Sequence, residues 1–242
     1  SMGLLSDSNM LLTFMYQKNE PLYAGDTPET LGMRTNLDSN IALDAFQTMC
    51  EFFTMYSQPV KFDFPNRFRT GEMPIGIADY STIYNQLECF APEIKGLWEF
   101  VRIPGTLQED GTVNHAIPTT ITASMIMHNS KNPQAAWEYI KWWTSVSAQE
   151  RFGKEQVAVM GSAAKYNTAN IEALKAQPWS SQEVKNLSQQ FESLEGTPMT
   201  PGNYIIARYE NFAFLDAYDN GKSPSDALLY YIDEINSEIT RK

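Results

Sequence analysis

The sequence predicts an α/β fold with a helical majority, and three observations carry that prediction. Over the first two thirds, segments with apolar residues at helical spacing alternate with short apolar runs of extended character. The last third is of helical pattern almost throughout. The composition, 43% hydrophobic and 19% charged, is that of a globular chain rather than a disordered one. At 242 residues the chain can form one large domain or two small ones around a substantial core. No apolar run approaches the ~20 residues of a membrane helix.

Residues 4–16 read as the first helix, followed by turn residues in "NEPLYAGDTPETLGMRTN" with two very short strands, at 22–23 and 31–33. Asp38 is placed to cap the next helix, in which Ile41, Ala45, Phe46, Met49, Phe52, Phe53 and Tyr56 recur at helical spacing before Pro59. "DFPNRFRTGE" is a helical turn closing on Gly71. Residues 73–78 form a short buried strand that stops at Asp79-Tyr80-Ser81, with a helix over 82–90 directly after it. Alternation over 98–103 predicts a strand broken by Pro104-Gly105. "QEDGTVNH" is a loop, and 117–127, rich in Thr and Ile, is one bent strand or two. Asn132-Pro133 opens a helix over 133–145, and a shorter helix follows at 148–153. Helices are expected at 170–177, 180–194, 204–218 and 224–239, the last opened by Ser223-Pro224-Ser225-Asp226.

Several kinds of chemistry are absent from the pattern. No P-loop, dinucleotide fingerprint, nucleophile elbow, zincin or EF-hand motif occurs. The net charge of −11 excludes a nucleic-acid surface, which needs basic residues to displace counterions. Cys50 and Cys89 have no metal or redox spacing, and both lie in apolar helix-like stretches where a buried thiol is the usual outcome. His115 and His128 have neither a metal-ligand spacing nor a neighbouring nucleophile. No cofactor and no metal is expected. Glu72 and Asp79 flank one strand, which separates them by about 20 Å or more and makes them a poor acid–base pair.

Polar and aromatic residues at strand ends and helix starts remain. Ligands of open α/β sheets collect at such ends. A ring packs on the apolar face of a sugar, while carboxylates, amides and arginines take its hydroxyls. Asp79, Tyr80, Ser81, Tyr84 and Asn85 fit that chemistry. The same residues also fit a structural role, in which Tyr80 and Tyr84 pack one helix face and Ser81 caps it. The stripe Trp137, Ile140, Trp142 and Trp143 is at helical spacing and is expected to be core, and Trp98 is core or cleft.

Four segments carry a family resemblance. "FRTGEMPIGIADYS" looks like F-x-x-G-x-x-A-M-x-I-x-G, and "SMIMHNSKNPQAAWEYIKWWTSVSAQERF" like a strand followed by S-K-N-P-x-x-A-W-x-F-I-x-x-L and a short helix. "VAVMGSAAKY" looks like a return segment between lobes, and "NGKSPSDALLYYIDEINSEI" like a terminal G-x-x-x-x-x-A-L-x-x-x-x-x-x-I helix. In that order they resemble the family 1 extracellular solute-binding proteins of ABC importers, the group that includes maltose-binding protein. The resemblance implies a type II periplasmic-binding-protein-like fold, two α/β lobes closing about a hinge on a ligand. It implies a carbohydrate, an oligosaccharide above all, as ligand, an ABC permease as partner, no enzyme activity, and an extracytoplasmic place as a periplasmic protein or cell-surface lipoprotein. A peptide or anionic solute is the alternative ligand, and a carbohydrate-active enzyme with paired carboxylates the alternative class.

The chain then corresponds mainly to the C-terminal lobe, residues 1–112 and 159–242, with 113–158 as the excursion that completes the N-terminal lobe. The first part of that lobe would lie before Leu4. Ser1-Met2 looks like a remnant of tag removal, and no signal segment is present in the sequence. Family members place an aromatic just after the "GEMPIGIADYS" strand, where this chain has Tyr80 and Ser81 instead of the frequent tryptophan, with Tyr84 on the same helical face. They place another near the start of the penultimate helix, where "NYIIARYEN" supplies Arg208 or Tyr209, with Tyr204 a turn earlier. The implied ligand-binding set is Asp79, Tyr80, Ser81, Tyr84, Tyr204, Arg208 and Tyr209.

Overall fold

The apolar stripe of residues 41–53 decides where the main core forms. The computed structural model describes residues 2–3, 8–27, 29–119, 121–200 and 202–240. Its helices are α1 (Ser8–Gln17), α2 (Asn40–Thr54), α3 (Phe64–Arg69), α4 (Tyr80–Phe90), α5 (Pro133–Trp143), α6 (Val146–Met160), α7 (Ile171–Ala176), α8 (Ser181–Phe191), α9 (Asn203–Asn220) and α10 (Pro224–Ile239). Its strands are β1 (Met2–Gly3), β2 (Ile75–Gly76), β3 (Thr106–Leu107), β4 (Val113–Asn114), β5 (Ile117–Thr119) and β6 (Leu194–Gly196). Residues 4–7 of the expected first helix lie outside the described residues.

In α2 the residues Ala42, Ala45, Phe46, Met49, Cys50 and Phe53 are buried, a one-sided stripe at 3.6-residue spacing. They meet Leu11 and Met15 of α1, Ala213, Phe214 and Ala217 of α9, and Leu228, Ile232 and Ile235 of α10 in one cluster. Ser39, not Asp38, caps α2, its hydroxyl accepting from the Ala42 N–H at 3.0 Å. Asp38 is engaged by Arg34 instead. Helix α9 ends on Gly221, whose φ of 66° is the left-handed turn that glycine adopts at least cost. Pro224 opens α10 as expected, but Ser223 makes no capping hydrogen bond.

A second, smaller cluster joins Tyr84 and the segment following α4 to the chain's later helices. Tyr84, Leu174, Trp179 and Leu187 are buried there, with Tyr80, Trp98 and Phe100 packed against them. Helix α8 starts on a capping box in which Ser180 and Glu183 each bind the other's backbone N–H.

The sheets are minimal. β1 pairs parallel with β2, β3 antiparallel with β4, and β5 parallel with β6. Of the strand expected at 73–78, only Ile75–Gly76 enters a ladder, and Ile75 is 64% exposed while Met73 alone is fully buried. The apolar residues of that run therefore line a surface rather than a core. Residues 98–103 form no strand. Side chains of α8 take its backbone instead: Asn186 Nδ2 donates to the Phe100 carbonyl at 2.7 Å, and the Ile103 N–H donates to Gln190 Oε1 at 2.8 Å. The strands expected at 22–23 and 31–33 reduce to one antiparallel bridge between Tyr23 and Thr35.

Two expectations of burial are overturned. Helix α5 has no buried residue, and Trp137 and Trp142 are 49% and 56% exposed, so the aromatic stripe expected in a core faces outward. Residues 121–127 are exposed as well and belong to no strand. Altogether the chain exposes 14537 Å², where a compact monomer of its mass exposes about 11,000 Å². Cys89 is also exposed, because α4 buries only Tyr84 and Leu87. Cys50 is buried, and the two thiols are free, that of Cys50 pushed up to about 12 by burial and by the carboxylates of Glu210 and Glu51.

Candidate functional site

The end of β2 is shaped by a helix cap. Asp79 is the N-cap of α4, accepting from the Thr82 N–H at 2.8 Å and from the Ser81 hydroxyl at 3.1 Å. Burial works to raise the Asp79 carboxyl, but the hydrogen bonds from Thr82 and Ser81 outweigh it and hold it below its ordinary range. The half-buried Tyr80 lies over the smaller cluster, its ring 6.1 Å from Trp179 and 6.2 Å from Phe100, and its hydroxyl donates to Asn167. Burial, then the charge of Asp79, raises its phenol.

Tyr84 sits one turn deeper and is 9% exposed. Its ring meets Trp98, Phe100 and Trp179 edge to face, at 5.5, 6.3 and 5.1 Å. Lys165, itself 7% exposed, lies 4.4 Å from the centre of the Tyr84 ring and 4.2 Å from that of Trp179. It donates to the Tyr84 hydroxyl at 2.7 Å and pairs with Glu183 at 3.6 Å. Burial lowers the Lys165 ammonium, and the charges of Glu183 and Glu88 only partly restore it. Aromatic faces and a carboxylate thus stand in for water around this cation. Tyr84 consequently backs the site from inside, while Tyr80, Ser81 and Asp79 form its outer edge.

That edge adjoins an open hollow of about 300 Å³ lined by Phe62, Asp63, Phe64, Pro65, Ile77, Ala78 and Ile83. Its walls are apolar apart from Asp63, which caps α3 by accepting from the Asn66 N–H. Gly76 lets β2 pass close to α3: a Cβ there would stand 2.3 Å from the Phe64 ring and force it to shift.

The α9 residues form a separate group. Tyr204 is 69% exposed, and the Arg208 guanidinium stands 5.5 Å from the centre of the Phe212 ring. Tyr209 is half-buried, its hydroxyl donating to Glu234 at 3.4 Å. Among the described residues no hydrogen bond, ion pair or ring contact joins this group to Asp79, Tyr80, Ser81 or Tyr84. The sequence-predicted set therefore falls into two patches, one on each hydrophobic cluster. Lys165, Asn167 and Trp179 were missed by sequence reasoning. They stand some 80 to 100 positions beyond Tyr80 and Tyr84, and no local pattern announces such a meeting.

The carboxyls of Asp79 and Glu88 give a test of the local electrostatics. In Glu88 burial raises the carboxyl, but hydrogen bonds from Lys95 and Ser162 prevail and lower it. A carboxyl lower in the folded than in the unfolded chain stabilises above its unfolded value, and that contribution is lost as pH falls through the folded value. The thermal midpoint is expected to fall with pH below about 4.5, and less steeply in Glu88→Gln. Identical acid limbs would mean that the Glu88 carboxylate contributes nothing to the acid stability of the fold. Asp79→Ala, which deletes the cap, is expected to cost about 1 kcal/mol.

No protein-family model matches the chain, and none of the curated proteins does. Solved structures do match. An ABC transporter solute-binding protein from Thermotoga lettingae, bound with α-D-tagatose, superposes with a TM-score of 0.69 at 14% identity, covering 98% of this chain and 59% of its own. The sugar-binding protein MalE of Xanthomonas citri gives 0.69 at 15% identity, over 98% of this chain and 58% of its own. The maltotriose-binding protein of Thermus thermophilus, bound with maltotriose, gives 0.63 at 14%, over 99% and 61%. The chain thus spans about three fifths of the length of these structures. At such identities the likeness is one of fold, and it extends over nearly the whole chain: the protein has the helix-rich α/β architecture of the type II, maltose-binding-protein-like sugar-binding proteins of ABC transporters.

Proposed function

We propose that the chain is part of an extracytoplasmic solute-binding component of an ABC importer, which holds an oligosaccharide between two lobes and hands it to a membrane permease. It performs no catalysis of its own. The observation that carries this reading is the polar edge Asp79–Tyr80–Ser81 at the start of α4, laid over aromatic rings and beside an apolar hollow. A pyranose has the same division, an apolar ring face and a rim of hydroxyls. The neighbours of known structure named above include proteins bound with tagatose and with maltotriose, which supports the choice of a sugar.

In this reading Tyr80 and Ser81 meet the ligand and Asp79 accepts from its hydroxyls, with Tyr84 as their support. Tyr204, Arg208 and Tyr209 contribute from α9. Residues 1–112 and 159–242 make the C-terminal lobe, and 113–158 belong with the N-terminal lobe. The outward-facing aromatics of α5 and the exposed run 121–127 support that division, since they present the apolar surface that a partner lobe would cover. The described helices include none long and apolar enough to cross a membrane.

One observation favours a second ligand class. The Arg208 guanidinium has no hydrogen bond or ion pair among the described residues, and a free guanidinium suits a carboxylate or phosphate as well as hydroxyls. Saturation-transfer NMR against maltotriose, tagatose, a neutral tripeptide and an acidic tripeptide separates the two. Transfer to a sugar that is lost in Tyr80→Ala supports the carbohydrate reading. Transfer only to the acidic peptide, lost in Arg208→Gln, replaces it with the anionic one.

A further inference from the structure

We propose that α9 and α10 carry a second carbohydrate-binding surface, an aromatic tract that runs from Arg208 over Phe212 and Tyr231 to Tyr230 and takes a stretch of polysaccharide chain. The inference rests on the carbohydrate reading of the protein and extends it beyond the cleft.

The tract is continuous. Arg208 stands 5.5 Å from the Phe212 ring, Phe212 lies 6.1 Å from Tyr231, and Tyr231 lies 4.9 Å from Tyr230. Lys222 closes the far end, 5.2 Å from the Tyr230 ring. Tyr209 braces the middle, 5.8 Å from Phe212 and 5.6 Å from Tyr231. Tyr204, Arg208 and Phe212 share one face of α9, because four-residue steps return to nearly the same side, and together they extend about 12 Å along it.

Tyr209 and Tyr231 are partly buried against the main core and Phe212 is half-buried, so the ring without a structural duty is that of Tyr230. Tyr230 is 72% exposed, so its burial contributes little to the core. Neither its hydroxyl nor the Arg208 guanidinium has a hydrogen-bond partner among the described residues. The remaining polar groups are held in place. Tyr231 donates to Asp216 at 3.3 Å, Lys222 donates to the same carboxylate at 2.6 Å, and Tyr209 donates to Glu234. The result is a strip of rings interleaved with fixed donors and acceptors. A protein partner would have to bury those charges, and the centres of protein interfaces are depleted in charge for that reason. A glycan meets the rings with its C–H faces and replaces the water on the charges with hydroxyls, at little desolvation cost. The tract begins at Arg208, which also belongs to the α9 group of proposed ligand-binding residues.

Native affinity electrophoresis tests this with soluble starch, xylan and arabinan in the gel, comparing the protein with Tyr230→Ala and Tyr230→Phe. At least one polysaccharide is expected to retard the protein. Tyr230→Ala should weaken that retardation about tenfold and Tyr230→Phe should keep most of it. The thermal midpoint of both should match the parent. No retardation by any polysaccharide, or equal retardation of Tyr230→Ala, overturns the tract. So does a change in oligomeric mass on Tyr230→Ala, which would make the surface a protein contact. Maltotriose and tagatose titrated in the same variants keep the two proposals apart. Short-sugar binding unchanged in Tyr230→Ala with polymer retardation equally unchanged removes the tract and spares the cleft.

Discussion

Phe214→Ala is expected to lower the thermal midpoint by about 6–20 °C, from a loss of about 3–5 kcal/mol at some 2–4 °C per kcal/mol. The side chain is 2% exposed and stands where α9 meets α2, with the Phe53 ring 5.2 Å away edge to face and the Tyr218 ring stacked at 5.6 Å. Truncation removes both contacts and leaves a cavity that the rigid helix pair cannot close. Against a total stability of about 5–15 kcal/mol, this single change leaves the protein at or near its limit. The control is Phe90→Ala on α4, where the side chain is 69% exposed and almost nothing should change. A Phe214→Ala midpoint within about 2 °C of the parent would mean that the α2–α9–α10 cluster is not the main core.

Arg208→Ala and Tyr80→Ala carry the largest expected effects on binding, each weakening the ligand by about tenfold or more. Their effects on stability should differ. Arg208 is exposed and its ring contact with Phe212 is a surface one, so its loss should leave the melting curve in place. Tyr80 touches Trp179 and Phe100 and donates to Asn167, so Tyr80→Ala should also destabilise, by about 1–2 kcal/mol. Tyr80→Phe separates the two, since it keeps the ring and removes the hydroxyl. Titration calorimetry and thermal melts on the same samples provide the check. Unchanged binding in both alanine variants would remove Tyr80 and Arg208 from the ligand site.

The helices were legible because their evidence is local. The stripe in α2 and the Pro-opened α10 are written within one turn of where they act. Helix ends were less legible by a residue, as at Asp38 and Ser39, because two polar neighbours compete and a distant or local partner decides between them. Here Arg34 takes Asp38 and frees Ser39 for the cap. Extended segments misled for a different reason. Residues 98–103 alternate like a strand, yet Asn186 and Gln190 of α8 satisfy their backbone. A hydrogen-bonding partner eighty residues away leaves no trace in local pattern.

The same limit governs the site. Asp79, Tyr80 and Ser81 were readable as a polar strand end, but Trp179 and Phe100 meet Tyr80, and Lys165 meets Tyr84, only in three dimensions. The aromatic stripe of α5 is the converse case. Amphipathic spacing announces that a face is made to be covered, but not whether the cover lies within the chain. Trp137 and Trp142 face outward here.

We propose that the edge formed by Asp79, Tyr80 and Ser81 recognises a sugar. Saturation-transfer NMR at millimolar sugar addresses it most directly, because it reads weak binding and reports which face of the ligand meets the protein. Transfer is expected from the aromatic protons to the C–H face of at least one of maltotriose and tagatose, abolished in Tyr80→Ala and retained in Phe90→Ala. Transfer to neither sugar, or equal transfer in the protein and in Tyr80→Ala, would contradict it.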